Sequence, residues 1–154
     1  MVSTVQDEEL TAGLSDVLSE VRTLLTVAGL LFAFLLNSLF FANFKDPAQD
    51  YLLLASVFSS LITIMVFAMP VFYHHVQFPY KDKKKFILRS HSFILLGLAL
   101  FFVTLFLTLV IAFYNKLGVW SFAFALATFV VLAVVYKERS KIFFLEEKII
   151  SKKI

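Results

Sequence analysis

Long apolar runs separated by short polar segments dominate this chain of 154 residues. The four runs cover about residues 24–44, 51–73, 93–113 and 119–136. At the rise of an α-helix, each run is about 27–35 Å long, which matches the roughly 30 Å hydrocarbon core of a bilayer. The pattern predicts an all-α polytopic membrane protein with four transmembrane helices. We assign residues 1–136 to a single transmembrane domain and residues 137–154 to a basic tail.

The connections between the runs predict how the helices follow one another. Only a few polar residues around Pro47 separate the first two runs, and residues 115–118 separate the last two. Proline ends one helix and is well accommodated at the start of the next. Connections this short make neighbouring helices antiparallel. We therefore expect two antiparallel hairpins joined by a longer loop over about residues 74–89.

The first and last helices are expected to extend beyond the membrane. Thr4 and Asp7 have the spacing of a capping box, which favours an early helix start. Residues after Tyr136 alternate between apolar and charged in a helical pattern. This predicts an amphipathic C-terminal helix, either continuous with the fourth span or lying on the membrane. An apolar seam with alternating spacing of four and three residues marks one side of the first helix: Leu10, Leu14, Val17, Val21, Leu24, Ala28, Leu31 and Leu35.

Composition supports a membrane protein and argues against an enzyme. Apolar residues make up 60% of the chain and charged residues 16%, whereas soluble domains have about 45–50% and 25%. The chain has no cysteine, which excludes disulfides, thiolate metal sites and cysteine nucleophiles. No ionisable residue lies in the central part of any apolar run, which argues against voltage sensors, carboxylate-driven antiporters and intramembrane proteases. We expect no catalytic residue, no metal and no cofactor.

Charge predicts the orientation. Twelve lysines and arginines fall before the first run, in the middle loop and in the tail, whereas Lys45 and Lys116 alone fall on the other side. The positive-inside rule then places both termini and the middle loop in the cytoplasm. Because the basic residues flank apolar runs, a nucleic-acid partner is not expected. Four loop lysines are expected to attract anionic lipid headgroups of the cell membrane: Lys81, Lys83, Lys84 and Lys85.

Ionisable residues gather where the predicted helices reach the cytoplasmic side. We refer to six of them as the polar cluster: Glu20, Arg22, His74, His75, Arg89 and His91. Salt bridges and hydrogen bonds that hold the helix ends together are the expected role. Two alternatives stay open, a pH-sensitive switch at His74 or His75, and a metal or haem bound by one of them together with His91.

Small and hydroxyl residues form stripes within the spans. The first helix carries Gly29, Ala33 and Asn37 at four-residue spacing, hereafter the Asn37 face. Helix packing is the expected role, because small residues allow close approach and hydroxyls bond across helices. A pore lining in an oligomer is the alternative. We expect the Asn37 amide to bond a Ser or Thr of the second helix. The candidate hydroxyls of the second and third helices, hereafter the hydroxyl set, are Ser59, Ser60, Thr63, Thr104 and Thr108.

Four short segments resemble a family of small, four-helix prokaryotic membrane proteins of uncharacterised function. The likeness covers about residues 14–113 and includes an acidic-x-Arg start of the first helix, a Leu-Phe-Ala-Phe-Leu-Leu run, and a Pro-x-x-Tyr-His end of the second helix. These correspond here to Glu20 with Arg22, to Leu31–Leu36, to Pro70–His74, and to Arg89 followed by Gly97. The resemblance implies the same architecture, with polar positions at Glu20, Arg22, His74 and Arg89. His75 departs from the family pattern, which often has arginine there.

These observations favour a structural or accessory subunit without enzymatic activity. Its apolar faces would pack against copies of itself or against a larger membrane complex. A homo-oligomeric channel for a small ion or solute, lined by hydroxyls and Asn37, is the alternative. A haem-carrying electron-transfer subunit is a third class.

The charge asymmetry generates a topology prediction. A reporter fused after Ile154, or inserted near Asp82, is expected to report the cytoplasm, whereas one inserted near Pro47 is expected to report the external side. Paired alkaline phosphatase and fluorescent-protein fusions measure this directly. A phosphatase signal from the fusion after Ile154 would contradict the orientation.

Overall fold

The computed structural model describes residues 2–42, 44, 46–77 and 83–151, and all regular structure in these ranges is helical. The structure describes the side chains of residues 10–76, except 43 and 45, and of residues 84–137 and 139. Four helices follow in order: α1 (Val2–Phe41), α2 (Pro47–Gln77), α3 (Lys83–Leu117) and α4 (Trp120–Ser151).

Each helix contains a segment long and apolar enough to cross a membrane. The segments are Leu10–Phe41, Pro47–Val76, Lys84–Leu117 and Trp120–Lys137. The prediction of four apolar helices is therefore confirmed. α1 is already helical at Val2, and α4 continues without interruption to Ser151. The described part of the tail is thus continuous with the fourth apolar segment, although its amphipathic side-chain pattern lies outside the described residues, as does the Thr4 cap.

Local chemistry explains where α2 begins and α3 ends. The Asp46 side chain accepts a hydrogen bond from the Ala48 backbone N–H at 3.0 Å, and the Gln49 N–H donates to the Asp46 carbonyl. This is an N-cap followed by Pro47 at the first helical position, where proline needs no donor. At the other boundary Gly118 has φ of +55°, a conformation that glycine adopts without steric cost. Its N–H donates to the Tyr114 carbonyl at 2.7 Å.

The chain divides into two compact units, Met1–Thr108 and Leu109–Ile154. In the first unit, the predicted seam is the buried face of α1. Val17, Val21, Ala28 and Leu35 are all buried. Val17 and Val21 form a core with Ile94 of α3, and partly buried side chains of all three helices surround that core: Leu24, Leu25, Val71, Ile87 and Leu98. The alternating spacing thus identified the packing face of α1 correctly.

α2 and α3 each bury one face as well. On α3 the close approach to α2 depends on Gly97, because a Cβ atom at this position would overlap the Phe67 ring. Phe67 is fully buried, so its ring has little room to move aside. The buried residues of α2 recur every three or four positions and include Gln49, Leu53, Ser56, Ser60, Thr63, Phe67 and Pro70.

The second unit contains the end of α3 and all of α4. The rings of Phe113 and Phe124 pack with centroids 4.6 Å apart and an interplanar angle of 56°. Val110, Ser121 and Ala125 are buried. Residues 130–137 of α4 are all exposed, and most of them are apolar. This part of α4 therefore has an exposed, mostly apolar surface.

Replacing Gly97 with alanine is expected to lower the free energy of unfolding by about 1–3 kcal/mol, because the added methyl group would overlap the Phe67 ring in a packed interior. Thermal unfolding of the purified protein in mild detergent measures this as a lower Tm. Gly13→Ala is the matched control, since its methyl group would lie 3.7 Å from Ile87 Cδ1, an ordinary contact. A Gly97→Ala protein as stable as the Gly13→Ala protein would contradict the close contact.

Candidate functional site

The six residues of the polar cluster are not joined into one network. His74 is half-buried, and the other five are exposed. The structure brings Arg22 together with His74 and His75 at one groove, while Arg89 contacts Tyr73 instead. Glu20, Arg22 and His91 form no salt bridge with any other residue whose side chain is described. Among the described side chains, the salt bridges expected between these helix ends are therefore not formed at those three positions.

Arg89 is the cluster member with the clearest role in packing. Its Nη1 donates a hydrogen bond to the Tyr73 hydroxyl at 2.5 Å, and its guanidinium carbon lies 5.7 Å from the centre of the Tyr73 ring. The same ring stacks on Phe86, with centroids 5.5 Å apart and an interplanar angle of 11°. Phe86 is fully buried. These contacts hold the end of α2 against the start of α3.

The groove lies between α1 and α2 at this same end of the first unit. It is open on one side and has a volume of about 570 Å³. Apolar and polar side chains share its lining: Leu18, Arg22, Leu25, Thr26, Val71, His74 and His75. The His74 and His75 rings are 5.5 Å apart, and His74 also meets the edge of Phe86 at 6.2 Å. Cationic and hydrogen-bonding groups thus stand beside an apolar wall.

The histidines are divided between this groove and a separate exposed position. His91 is exposed on α3 and does not line the groove that His74 and His75 share. Within the described part of the chain, no three His, Cys, Asp or Glu residues are grouped to hold a metal ion. The arrangement supplies a guanidinium and imidazoles beside a hydrophobic surface, which is suited to holding an amphipathic anion.

The hydroxyl set is engaged within the protein. Thr63, Thr104 and Thr108 each donate to a backbone carbonyl four residues earlier, at 2.8–3.0 Å. The Ser59 and Thr104 hydroxyl oxygens lie 2.8 Å apart. Because the single Thr104 proton is donated to the Leu100 carbonyl, Ser59 is the donor in this bond between α2 and α3. Ser60, with 1% of its surface exposed, is also buried in this unit.

The Asn37 face lies away from the core of its unit. Ala33 and Asn37 are exposed, and a Cβ atom at Gly29 would meet nothing within 4 Å. The predicted hydrogen bond from Asn37 to a Ser or Thr of the second helix is wrong, because the Asn37 side chain bonds none of the described residues. The reason is helical geometry. Asn37 is about 200° around α1 from the buried Leu35, and the hydroxyl set packs between α2 and α3.

Two buried features were missed by sequence reasoning. Gln49 is fully buried near the start of α2, and neither atom of its side-chain amide has a hydrogen-bond partner among the described residues. The buried Ser90 hydroxyl of α3 has no described partner either. The signal for Gln49 was its position, four residues before Leu53 on the buried face of α2. The Tyr73 contact with Arg89 was also missed, because pairing was sought among ionisable groups alone.

Comparison with known proteins places these features in a family context. A model for a family of unknown function, DUF6328, matches residues 4–137. The chain belongs to DUF6328. No curated protein and no solved structure matches it. The DUF6328 match includes the four apolar segments, the polar cluster, the hydroxyl set and the Asn37 face, so all of these lie in the part of the chain that the family shares.

The bond between Ser59 and Thr104 can be tested by a double-mutant cycle. Ser59→Ala and Thr104→Val are expected to show a coupling energy of about 0.6 kcal/mol, the average for hydrogen bonds between membrane helices. Unfolding in mixed micelles gives the four free energies. Ser56→Ala replaces Ser59→Ala in the control cycle, since Ser56 donates to the Leu52 carbonyl on its own helix. Equal coupling in both cycles would contradict a specific bond.

Proposed function

We propose that this protein is a non-enzymatic integral membrane protein that acts as a structural or accessory subunit, packing with copies of itself or with a larger membrane complex. The observation that carries the proposal is the exposed Asn37 face on α1. This face presents a primary amide without a partner among the described residues, next to two positions with small side chains. The Ser59 and Thr104 hydroxyls, in contrast, bond each other within the protomer.

The proposed setting is a cell membrane with both termini and the middle loop in the cytoplasm. The four helices would form two antiparallel hairpins, and the basic tail would lie on the cytoplasmic side. The charge asymmetry supports this orientation. The antiparallel pairing of α1 with α2 is supported by contacts in the first unit, because Val17, early in α1, packs near Val71, late in α2, and near Ile87 at the start of α3.

Energetics favour a protein partner for the Asn37 face. An amide without a hydrogen bond in an apolar medium costs about 1–3 kcal/mol by mutational measures. A second copy placed against this face would offer another Asn37, and two amides can donate to and accept from each other. Gly29 and Ala33 would allow the two backbones to approach closely, as small residues do in membrane helix pairs.

The hydroxyl set supports packing over a pore. A conducting path needs polar groups that face a shared lumen. Here the threonine protons are donated to helix carbonyls, and Ser59 is bonded to Thr104. Of the residues considered for a pore lining, Asn37 is exposed on an outer face of the first unit. One amide per protomer offers few hydrogen bonds to a hydrated ion.

Asn37→Leu is expected to shift the oligomer toward monomer, because the paired amides would be lost. Native mass spectrometry of protein extracted gently from its membrane measures copy number and bound subunits. Asn37→Gln keeps an amide and is expected to retain more of the assembly than Asn37→Leu. Val27→Leu, an exposed position on another side of α1, is the control and should leave the assembly unchanged. Equal copy number in all four proteins would contradict self-packing through this face.

The same preparations separate the alternatives. Liposomes that contain the purified protein are expected to remain impermeable to small ions. Saturable ion flux that disappears in Asn37→Leu or in Ser60→Leu, with the fold intact, would overturn the proposal in favour of a channel. The purified protein is also expected to be colourless, and a Soret band that is abolished by replacing His91 would favour an electron-transfer subunit instead.

A further inference from the structure

We propose that the groove between α1 and α2 binds one anionic phospholipid. Arg22 and His75 would contact its phosphate, with His74 beside them, and Leu18, Leu25 and Val71 would contact the upper part of an acyl chain. This inference goes beyond the proposed function, since it concerns a ligand and not the packing of copies. It requires that α1 and α2 cross the membrane, and it holds for a monomer as well as for an oligomer.

The position of the groove suits a lipid headgroup. His74 and His75 are near the end of the apolar segment of α2, which finishes at Val76. Arg22 lies where the polar first part of α1 meets the continuous apolar run that begins at Leu24. Both sides of the groove therefore change from apolar to polar at the same level, as the surface of a bilayer does.

The described residues leave the charge of Arg22 in the groove without an acidic partner. Arg22 is exposed and forms no salt bridge with a described residue. Glu20 is two residues away, so its side chain is about 200° around the helix and on another face. The remaining groove residues carry no acidic group. An incoming phosphate would meet a guanidinium that can bind it through two parallel hydrogen bonds.

The start of α3 carries basic residues. Phe86 contacts His74, and the two residues that precede Phe86 are the exposed Lys84 and Lys85. Such basic groups attract anionic lipids to the surface at roughly 1 kcal/mol per residue, and the groove would then select one of these lipids for specific binding.

The apolar wall is what distinguishes a phospholipid from a free phosphate. Leu25 and Val71 pack against the hydrophobic core of the first unit, so this wall is supported from behind. The Thr26 hydroxyl donates to the Arg22 carbonyl at 2.9 Å, which leaves the wall with little hydrogen-bonding capacity. A volume of about 570 Å³ is within the usual range of ligand sites, about 300–1,000 Å³, and exceeds what an inorganic phosphate would fill.

The test titrates purified full-length protein in neutral detergent with dioleoylphosphatidylglycerol, and in parallel with dioleoylphosphatidylcholine, using native mass spectrometry to count bound lipids. We expect one phosphatidylglycerol site at least about tenfold tighter than any phosphatidylcholine site. Arg22→Gln is expected to weaken this site about tenfold, the effect of losing one charge-assisted contact of ordinary strength. His75→Gln is expected to weaken it by a smaller factor. Lys116→Gln is the matched control, because it removes an exposed cation in the last turn of α3 that does not line the groove, and it should change binding less than about twofold.

Three outcomes would overturn the proposal. Equal affinity for the two lipids would remove the role of charge. Equal losses in Lys116→Gln and Arg22→Gln would indicate a general effect of net charge without a site. Displacement of the lipid by millimolar inorganic phosphate would indicate an anion site to which the apolar side chains of the groove contribute no affinity. A Tm close to that of the wild type verifies the fold of each variant, and the exposure of His75 makes His75→Gln a usable second variant if Arg22→Gln unfolds.

The lipid experiment is distinguishable from the test of self-packing. Asn37 does not line the groove, so Asn37→Leu should leave phosphatidylglycerol binding unchanged whatever it does to copy number. Arg22→Gln should weaken lipid binding in whichever assembly the protein forms. Failure of either proposal can therefore be recognised while the other stands.

Discussion

Polar groups on helices that cross hydrocarbon must find their hydrogen bonds inside the protein, and much of this structure follows from that constraint. Most side-chain hydroxyls in the first unit meet it locally. Ser56, Thr63 and Thr108, for example, donate to the carbonyl one turn earlier. The bond between Ser59 and Thr104 extends the same solution across two helices. Because these groups are satisfied, α2 and α3 can bury a face rich in small residues, and Gly97 can bring the helices into contact around Phe67.

The groups that do not meet this constraint internally are the informative ones. Asn37 is exposed on α1, and Arg22 and His75 are exposed at a groove with an apolar wall. All three side chains are exposed at the surface of the first unit, and we propose a protein partner for Asn37 and a phosphate for Arg22 and His75. Gln49 is different, because it is buried with both amide atoms unpaired among the described residues. An unpaired buried amide lowers stability, and nothing in the structure explains its presence.

The candidate site was predictable in part. Arg22, His74 and His75 of the polar cluster line one groove, which their positions near neighbouring helix ends allow. The pairing of the polar cluster was not predictable, because charge alone suggested salt bridges whereas Arg89 bonds the neutral Tyr73. Asn37 was expected to face the second helix but is exposed, and the reason is related. A four-residue stripe shows that residues share a face of a helix, but it does not say whether that face meets a neighbour.

Helix number, helix type and the buried seam of α1 were determined by the sequence itself, because each depends on the local order of residues. Apolar runs of membrane length admit one backbone solution, and the spacing of Val17, Val21, Ala28 and Leu35 defines one side of a helix whatever lies beside it. Only the tertiary structure decided which polar side chains form hydrogen bonds within the protein and which are exposed on its surface. That outcome depends on the rotation of each helix about its own axis, which is set by the fit of side chains such as Phe67 against Gly97, from residues far apart in the chain.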